Sequence, residues 1–134
     1  MHNSINSAII PLLEGLQINN YPEIEERIKW IDNVEQIVIK FQEEFEDCIS
    51  KDFSKRSKKE TYLAEVLPTI SAARNAKKNL KHWVRSKKVT TSPIFWLGKS
   101  IIFPQPLGIV AIISPWNYPL QLSMIPAINA LAAG

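Results

Sequence analysis

A chain of 134 residues can close around one small core, so its function either fits a single domain or belongs to a larger body. Hydrophobic residues make up 46% and charged residues 22%, with 4 Gly and 9 Pro, which excludes a low-complexity tail and a fibrous repeat. The net charge of +3 conceals three zones: residues 1–50 hold 3 basic and 10 acidic side chains, residues 51–88 hold 12 and 3, and residues 89–134 hold 1 and none.

Lys99 is thus the one charge over the last zone, which is too little to solvate a surface, and that zone is expected to lie inside a larger body. The single cysteine, Cys48, excludes a disulfide framework, argues against a zinc cluster and fits a reducing compartment. The start "MHNSINSAIIPLLEG" has neither a basic region nor a long apolar core, and no run of 18 apolar residues follows. Secretion and membrane spanning are therefore disfavoured, and a cytoplasmic protein with no membrane partner is expected.

In chain order, residues 1–20 are expected to be a flexible N-terminal segment containing His2, and residues 21–88 a helical region. From Pro22 to about Lys51 the residues Ile24, Ile28, Ile31, Val34, Val38, Phe41, Phe45 and Cys48 recur at spacings of three or four, the stripe of one long helix. Asn20 is its candidate cap, Pro22 sits in its first turn, and Glu23, Glu25 and Glu26 complement the positive end of its dipole. Cys48 falls on the packing stripe with no neighbouring His or Lys to activate it.

Ser57 followed by Glu60 has the pattern of a capping box, and a second helix is expected from about Lys58 to Ser86. Its stripe is Leu63, Leu67, Ile70, Arg74, Lys77, Leu80 and Val84, with Pro68 kinking or breaking it. An acidic helix followed by a basic one invites antiparallel pairing. The competing use of Lys77, Lys78, Lys81, Arg85, Lys87, Lys88 and Trp83 is a stand-alone helical module following a phosphate backbone. No helix-turn-helix, aromatic platform or zinc pattern accompanies these charges, so nucleic acid is not the expected partner. His82 lies on the same basic face without ligand or base partners.

Residues 89–106 read as a linker and short strand, because "KSIIFPQ" and the later "LGIVAIIS" are short, β-branched and separated by Pro106 and Gly108. Ile109 to Ile113 is apolar on both faces, as in a parallel strand covered by helices. A third helix is expected from about Pro119 to Ala133, apolar nearly all round and bent at Pro126, with Gly134 just past its end. A strand and helix without a returning strand form an incomplete βαβ unit, which marks residues 107–134 as the truncated start of an α/β domain.

The run "PLGIVAIISPWNYPLQLSMIPAINALAAG" resembles the Pro-x-Gly, Pro-Trp-Asn-x-Pro and Ala-Leu-Ala-Ala-Gly pattern of aldehyde dehydrogenases. Upstream, "DFSKRSKKETYLAEVLPTI" and "ARNAKKNLKHW" are similar to the coniferyl aldehyde dehydrogenase branch, so the resemblance runs from about Tyr21 to Gly134. It implies an α/β fold class: the N-terminal part of the family fold, with two long helices, a pair of short strands and the start of a Rossmann-like cofactor domain. It also implies NAD(P)-dependent oxidation of an aldehyde to the acid, a small-molecule aldehyde substrate, and a homodimer or larger homo-oligomer.

In such enzymes a cysteine thiolate attacks the aldehyde, hydride passes to NAD or NADP, and a glutamate activates the water that hydrolyses the thioester. Carried over by motif, Asn117 donates to the oxyanion, while Ile113, Ser114, Pro115 and Trp116 line the nicotinamide side of the cleft. Ser114 replaces the apolar residue often found at its position. No metal ligand is implied. Spacing alone reads Asn117 as a helix cap ahead of Pro119 and Trp116 as a core aromatic; the complete motif reverses that weighting. The nucleophilic Cys, the general-base Glu, the Lys-containing strand and the glycine-rich phosphate turn are expected beyond Gly134, so the isolated chain is expected to be inactive.

Overall fold

The structure, a computed structural model, describes residues 2–134. Helix α1 spans His2–Ile18, where the sequence led us to expect a flexible segment. Ile9, Leu12, Leu13 and Leu16 stand at the i, i+3, i+4, i+7 spacing of a helix face, which accounts for the difference. The side chain of His2 lies outside what the structure describes.

The first expected long helix is two, α2 at Ile24–Lys40 and α3 at Gln42–Asp52, separated at Phe41 (φ −103°, ψ 19°). The β-branched run Ile37–Val38–Ile39, of weak helix formers, immediately precedes the break. Glu23, not Asn20, occupies the cap of α2, and Pro22 stays outside the helix. The buried positions are Arg27, Ile31, Glu35, Val38, Glu46 and Ile49. Cys48 is exposed, so its assignment to the packing stripe is corrected: Ile49 takes the inward position in α3.

The second long helix starts as α4 (Lys58–Thr61), passes through a π-helical turn (Tyr62–Val66) and continues as α5 (Leu67–Trp83). Pro68 has no amide to offer the carbonyl one α-turn back, and the wider turn just ahead of it absorbs that defect. Ser57 caps α4 by position but makes no side-chain cap bond, because Glu60 turns back to pair with Arg56 instead. Thr61, Glu65, Val66, Thr69, Ile70, Ala73, Ala76 and Leu80 are buried, while Leu63 and Leu67 are exposed. Thr61, Thr69, Ala73 and Ala76 share this inward face with Val66, Ile70 and Leu80, and Leu63 and Leu67 lie outside it.

One ladder of ion pairs and a shared core hold α2 against α5. Arg74 Nε donates to Glu35 Oε1 at 2.7 Å, Lys77 Nζ lies 2.8 Å from Glu35 Oε2 and also reaches Asp32, and Lys81 pairs with Glu25 at 3.4 Å. Two of the cations weighed as phosphate contacts, Lys77 and Lys81, are therefore engaged within the fold. Burial pushes the Glu35 carboxyl up, but the hydrogen bonds and charges of Lys77 and Arg74 outweigh it and hold the group below its ordinary value.

Helix α6 (Pro119–Ala133) is present where expected and packs against both α2 and α5. Its Ile128 and Ala132 join Ile31, Ala73, Ala76 and Leu80 in one core cluster, and its Leu120 joins Val38, Ile49, Val66 and Ile70 in the other. Strand β1 (Lys87–Val89) pairs antiparallel with β2 (Ser100–Ile102), in the register Lys87 to Ile102, Lys88 to Ile101 and Val89 to Ser100. The expected strand at "KSII" is thus present, with a partner that the sequence had placed at the end of a helix. The expected strand Ile109 to Ile113 is extended but not in a ladder, and Ile113 is 97% exposed. A strand exists through its neighbours' hydrogen bonds, and among the described residues no strand pairs with this one.

Candidate functional site

The site grows from the two ends of α6. An apolar helix has four orphan amides at its start and four orphan carbonyls at its end, and burial makes each one costly. Glu65, fully buried on the π-helical turn, accepts from the amides of Leu120 at 2.8 Å and Gln121 at 3.3 Å through Oε2. At the other end Arg27, 3% exposed, donates through Nη1 to the carbonyls of Ala132 at 3.3 Å and Ala133 at 2.9 Å. Its Nε serves the Pro22 carbonyl at 2.8 Å. A carboxylate at the positive end and a guanidinium at the negative end both favour the helix dipole.

Gly134 closes α6 with φ +101°, and a Cβ there would stand 2.6 Å from Arg27 Cζ, so the close approach of that guanidinium requires glycine.

The loop before α6 carries Ile113, Ser114, Pro115, Trp116 and Asn117, all exposed. Tyr118 takes the cap position with φ −136° and ψ 72°, leaving Asn117 one residue outside the helix. Asn117 is therefore not the cap that spacing alone suggested; Glu65 does that work from another element. Asn117 lies on the wall of an open depression of about 520 Å³ formed with Phe53, Ser54, Lys55, Arg56, Glu60 and Tyr118.

Arg56 binds this wall together. Its Nη1 donates to the Asn117 carbonyl at 2.9 Å and to Glu65 Oε1 at 3.3 Å, and its Nε to Glu60 Oε1 at 3.3 Å. Its Cζ lies 4.4 Å from the centroid of the Tyr118 ring and 4.9 Å from that of Phe53. Phe53 in turn stacks on Trp116, with centroids 5.8 Å apart and planes at 21°. Trp116 is 78% exposed, so it is a surface aromatic and not a core one.

Arg56 reaches this place because α3 ends in a paired reversal: the Lys55 amide donates to the Ser50 carbonyl at 2.8 Å and the Ser54 amide to that of Lys51 at 3.3 Å. Ser54 (φ 53°) and Lys55 (φ 84°) are both left-handed, a conformation costing about 1–2 kcal/mol for each non-glycine residue. Across α3 and α4, Lys58 pairs with Asp47; that hydrogen bond holds the Asp47 carboxyl below its ordinary value and the Lys58 amine above its own.

Ahead of Asn117, Ile113 and Trp116 present large exposed apolar surface. Among the described residues no three or more His, Cys, Asp and Glu gather as metal ligands. No helix of the described residues is long and apolar enough to cross a membrane.

Sequence reasoning missed Arg27, Arg56 and Glu65. Arg27 and Glu65 carried a signal, since each is a charge at an inward position, Arg27 between Ile24 and Ile31 and Glu65 within "YLAEVLPTI". Arg56, in a run of cations, carried none.

Comparison with known proteins converges on one family. The aldehyde dehydrogenase family profile matches residues 18–134. A probable coniferyl aldehyde dehydrogenase of Pseudomonas aeruginosa is 37% identical over 113 residues, covering 84% of this chain and 24% of that protein. A 4,4'-diaponeurosporen-aldehyde dehydrogenase of Staphylococcus aureus is 33% identical over 112 residues, covering 84% and 24%. A structure of the substrate-bound state of Staphylococcus aureus AldH superposes with a TM-score of 0.88 at 28% identity, over 97% of this chain and 28% of that one. The chain thus spans about a quarter of the length of the curated relatives it matches. With its helices, short hairpin and helix-start loop arranged as in the N-terminal part of that fold, the chain belongs to the aldehyde dehydrogenase family.

Proposed function

We propose that this chain supplies the oxyanion donor and the nicotinamide-side wall of an enzyme that oxidises an aldehyde to its acid with NAD or NADP, acting in the cytoplasm as a homodimer or larger homo-oligomer. The observation that carries the reading is Asn117 itself: an exposed residue of the Pro-Trp-Asn-x-Pro run, mounted at the mouth of a depression on backbone anchored at 2.9 Å by Arg56. A carboxamide offers N–H donors without adding a titratable group. Placed beside an aldehyde carbonyl under attack, it stabilises the alkoxide that develops, at a cost prepaid by the fold.

Ile113, Ser114, Pro115 and Trp116 supply a surface for the cofactor, which accepts hydride when bound. The names of the Pseudomonas aeruginosa and Caulobacter vibrioides relatives support coniferyl aldehyde or a related aromatic aldehyde as substrate. The family resemblance assigns the nucleophile and the water-activating carboxylate outside this chain; in keeping with it, Glu65 is committed to a helix end. The chain alone is therefore expected to be inactive. Engagement of Arg74, Lys77 and Lys81 with α2 supports this reading over a nucleic-acid module.

The test is a chimera joining this chain to the remaining three quarters of the Pseudomonas aeruginosa relative. Aldehyde-dependent NADH or NADPH formation is expected from the chimera and not from the chain alone, with coniferyl aldehyde favoured over a short aliphatic aldehyde. A folded chimera without turnover on either aldehyde would contradict the proposal.

A further inference from the structure

We propose that Arg56 is the positioning residue for Asn117, an inference that rests on the reading of Asn117 as oxyanion donor. One guanidinium with a side chain only 9% exposed holds three consecutive residues of the loop. It donates to the Asn117 carbonyl at 2.9 Å, lies 4.4 Å from the ring centroid of the next residue, Tyr118, and packs on Phe53, which stacks on the preceding Trp116.

The same Nη1 contacts Glu65 Oε1 at 3.3 Å, and Glu65 Oε2 accepts the Leu120 amide at 2.8 Å. Arg56 therefore ties the loop to the carboxylate that fixes the start of α6. Its Nε is engaged by Glu60 at 3.3 Å, so these contacts commit the side chain to holding backbone and not to binding an incoming anion. A planar, multi-donor guanidinium bridges the carboxylate and the carbonyl while lying flat against two aromatic rings; a lysine ammonium is a compact point charge on a different stem, with no flat face for the rings, and does not reproduce that set of contacts.

An oxyanion donor works only if its N–H stands where the charge will develop, and a displacement of about 1 Å costs on the order of 100-fold in rate. Arg56 shares no contact with the proposed cofactor surface except through Phe53 and Trp116, so its loss should appear in kcat before it appears in cofactor KM.

The experiment is Arg56→Lys in the active chimera, alone and combined with Asn117→Ala. The lysine variant retains a cation beside Glu65, which keeps that buried carboxylate paired and the protein folded. Alone, it is expected to lower kcat roughly 10- to 100-fold with cofactor KM within about twofold. In the Asn117→Ala background it is expected to cost less than about threefold more, because the group it positions is gone. Equal losses in both backgrounds would overturn the proposal. Hydrogen exchange at the amides of residues 116–118 reads the anchoring without turnover: Arg56→Lys should speed it and Asn117→Ala should not. Unchanged exchange in Arg56→Lys would overturn the anchoring. An unchanged kcat in Asn117→Ala would instead defeat the oxyanion reading, and the exchange arm would still decide whether Arg56 holds the loop.

Discussion

Glu65 and Arg27 are charged and yet among the most buried residues, because each completes an end of α6 that apolar neighbours leave unsatisfied. Removing one partner of such a constellation strands the others. Glu65→Ala leaves the Leu120 and Gln121 amides without an acceptor and the Arg56 guanidinium partly buried beside them, at a cost of about 3–5 kcal/mol. Chemical denaturation of the chimera should show that loss; a change below about 1 kcal/mol would mean that water or the loop replaces the carboxylate at no cost.

At this scale the sequence singles out residues only where they stand together in a motif. Asn117 and its four predecessors stand out as a run, whereas Arg56 depends on a reversal at Ser54 and Lys55, two residues without the glycine that marks such turns. Thr61, Thr69 and Ala73 are buried too, and their types do not advertise it.

The acidic and basic helices pair as their charges suggest, and Glu35 is the centre of that pairing. Its carboxyl is held below the ordinary range, so it contributes stability that is present above about pH 4 and is lost as the pH falls through the folded-state value. Lys77 is the converse: the hydrogen bonds it donates to Asp32 and Glu35 raise it, so its contribution persists to high pH and fades only as the pH climbs past the raised value. Glu35→Gln should flatten the acid limb of the chimera's stability profile between about pH 3 and 5, measured by denaturation at each pH. An unchanged limb would place acid sensitivity elsewhere.

Helices were legible because their periodicity is local, and Pro68 marked the irregular turn ahead of it; the break at Phe41 was not legible, since no Pro or Gly stands there. The segment Ile109 to Ile113 is the instructive failure. Its composition is that of a buried parallel strand, but pairing is non-local, and among the described residues no strand lies next to it.

Over the whole molecule, the core formed by α2, α5 and α6 contrasts with apolar surface left open along the second half. Ile94 is 84% exposed, Leu97 84%, Leu107 89% and Ile113 97%, a distribution that belongs to a part of a larger body and agrees with the near-absence of charge after residue 88. The chain matches about a quarter of its relatives' length, and the described residues carry what the proposal needs of one wall: Asn117, the Arg56 that holds its backbone, and an adjoining exposed apolar segment.

The most direct test of that account is single-turnover oxidation of an aldehyde by the chimera with Asn117 replaced by Ala, which isolates chemistry from product release. The account predicts a rate lower by roughly 100- to 1,000-fold with cofactor affinity little changed. A rate equal to that of the parent chimera, with chemistry limiting, would contradict it.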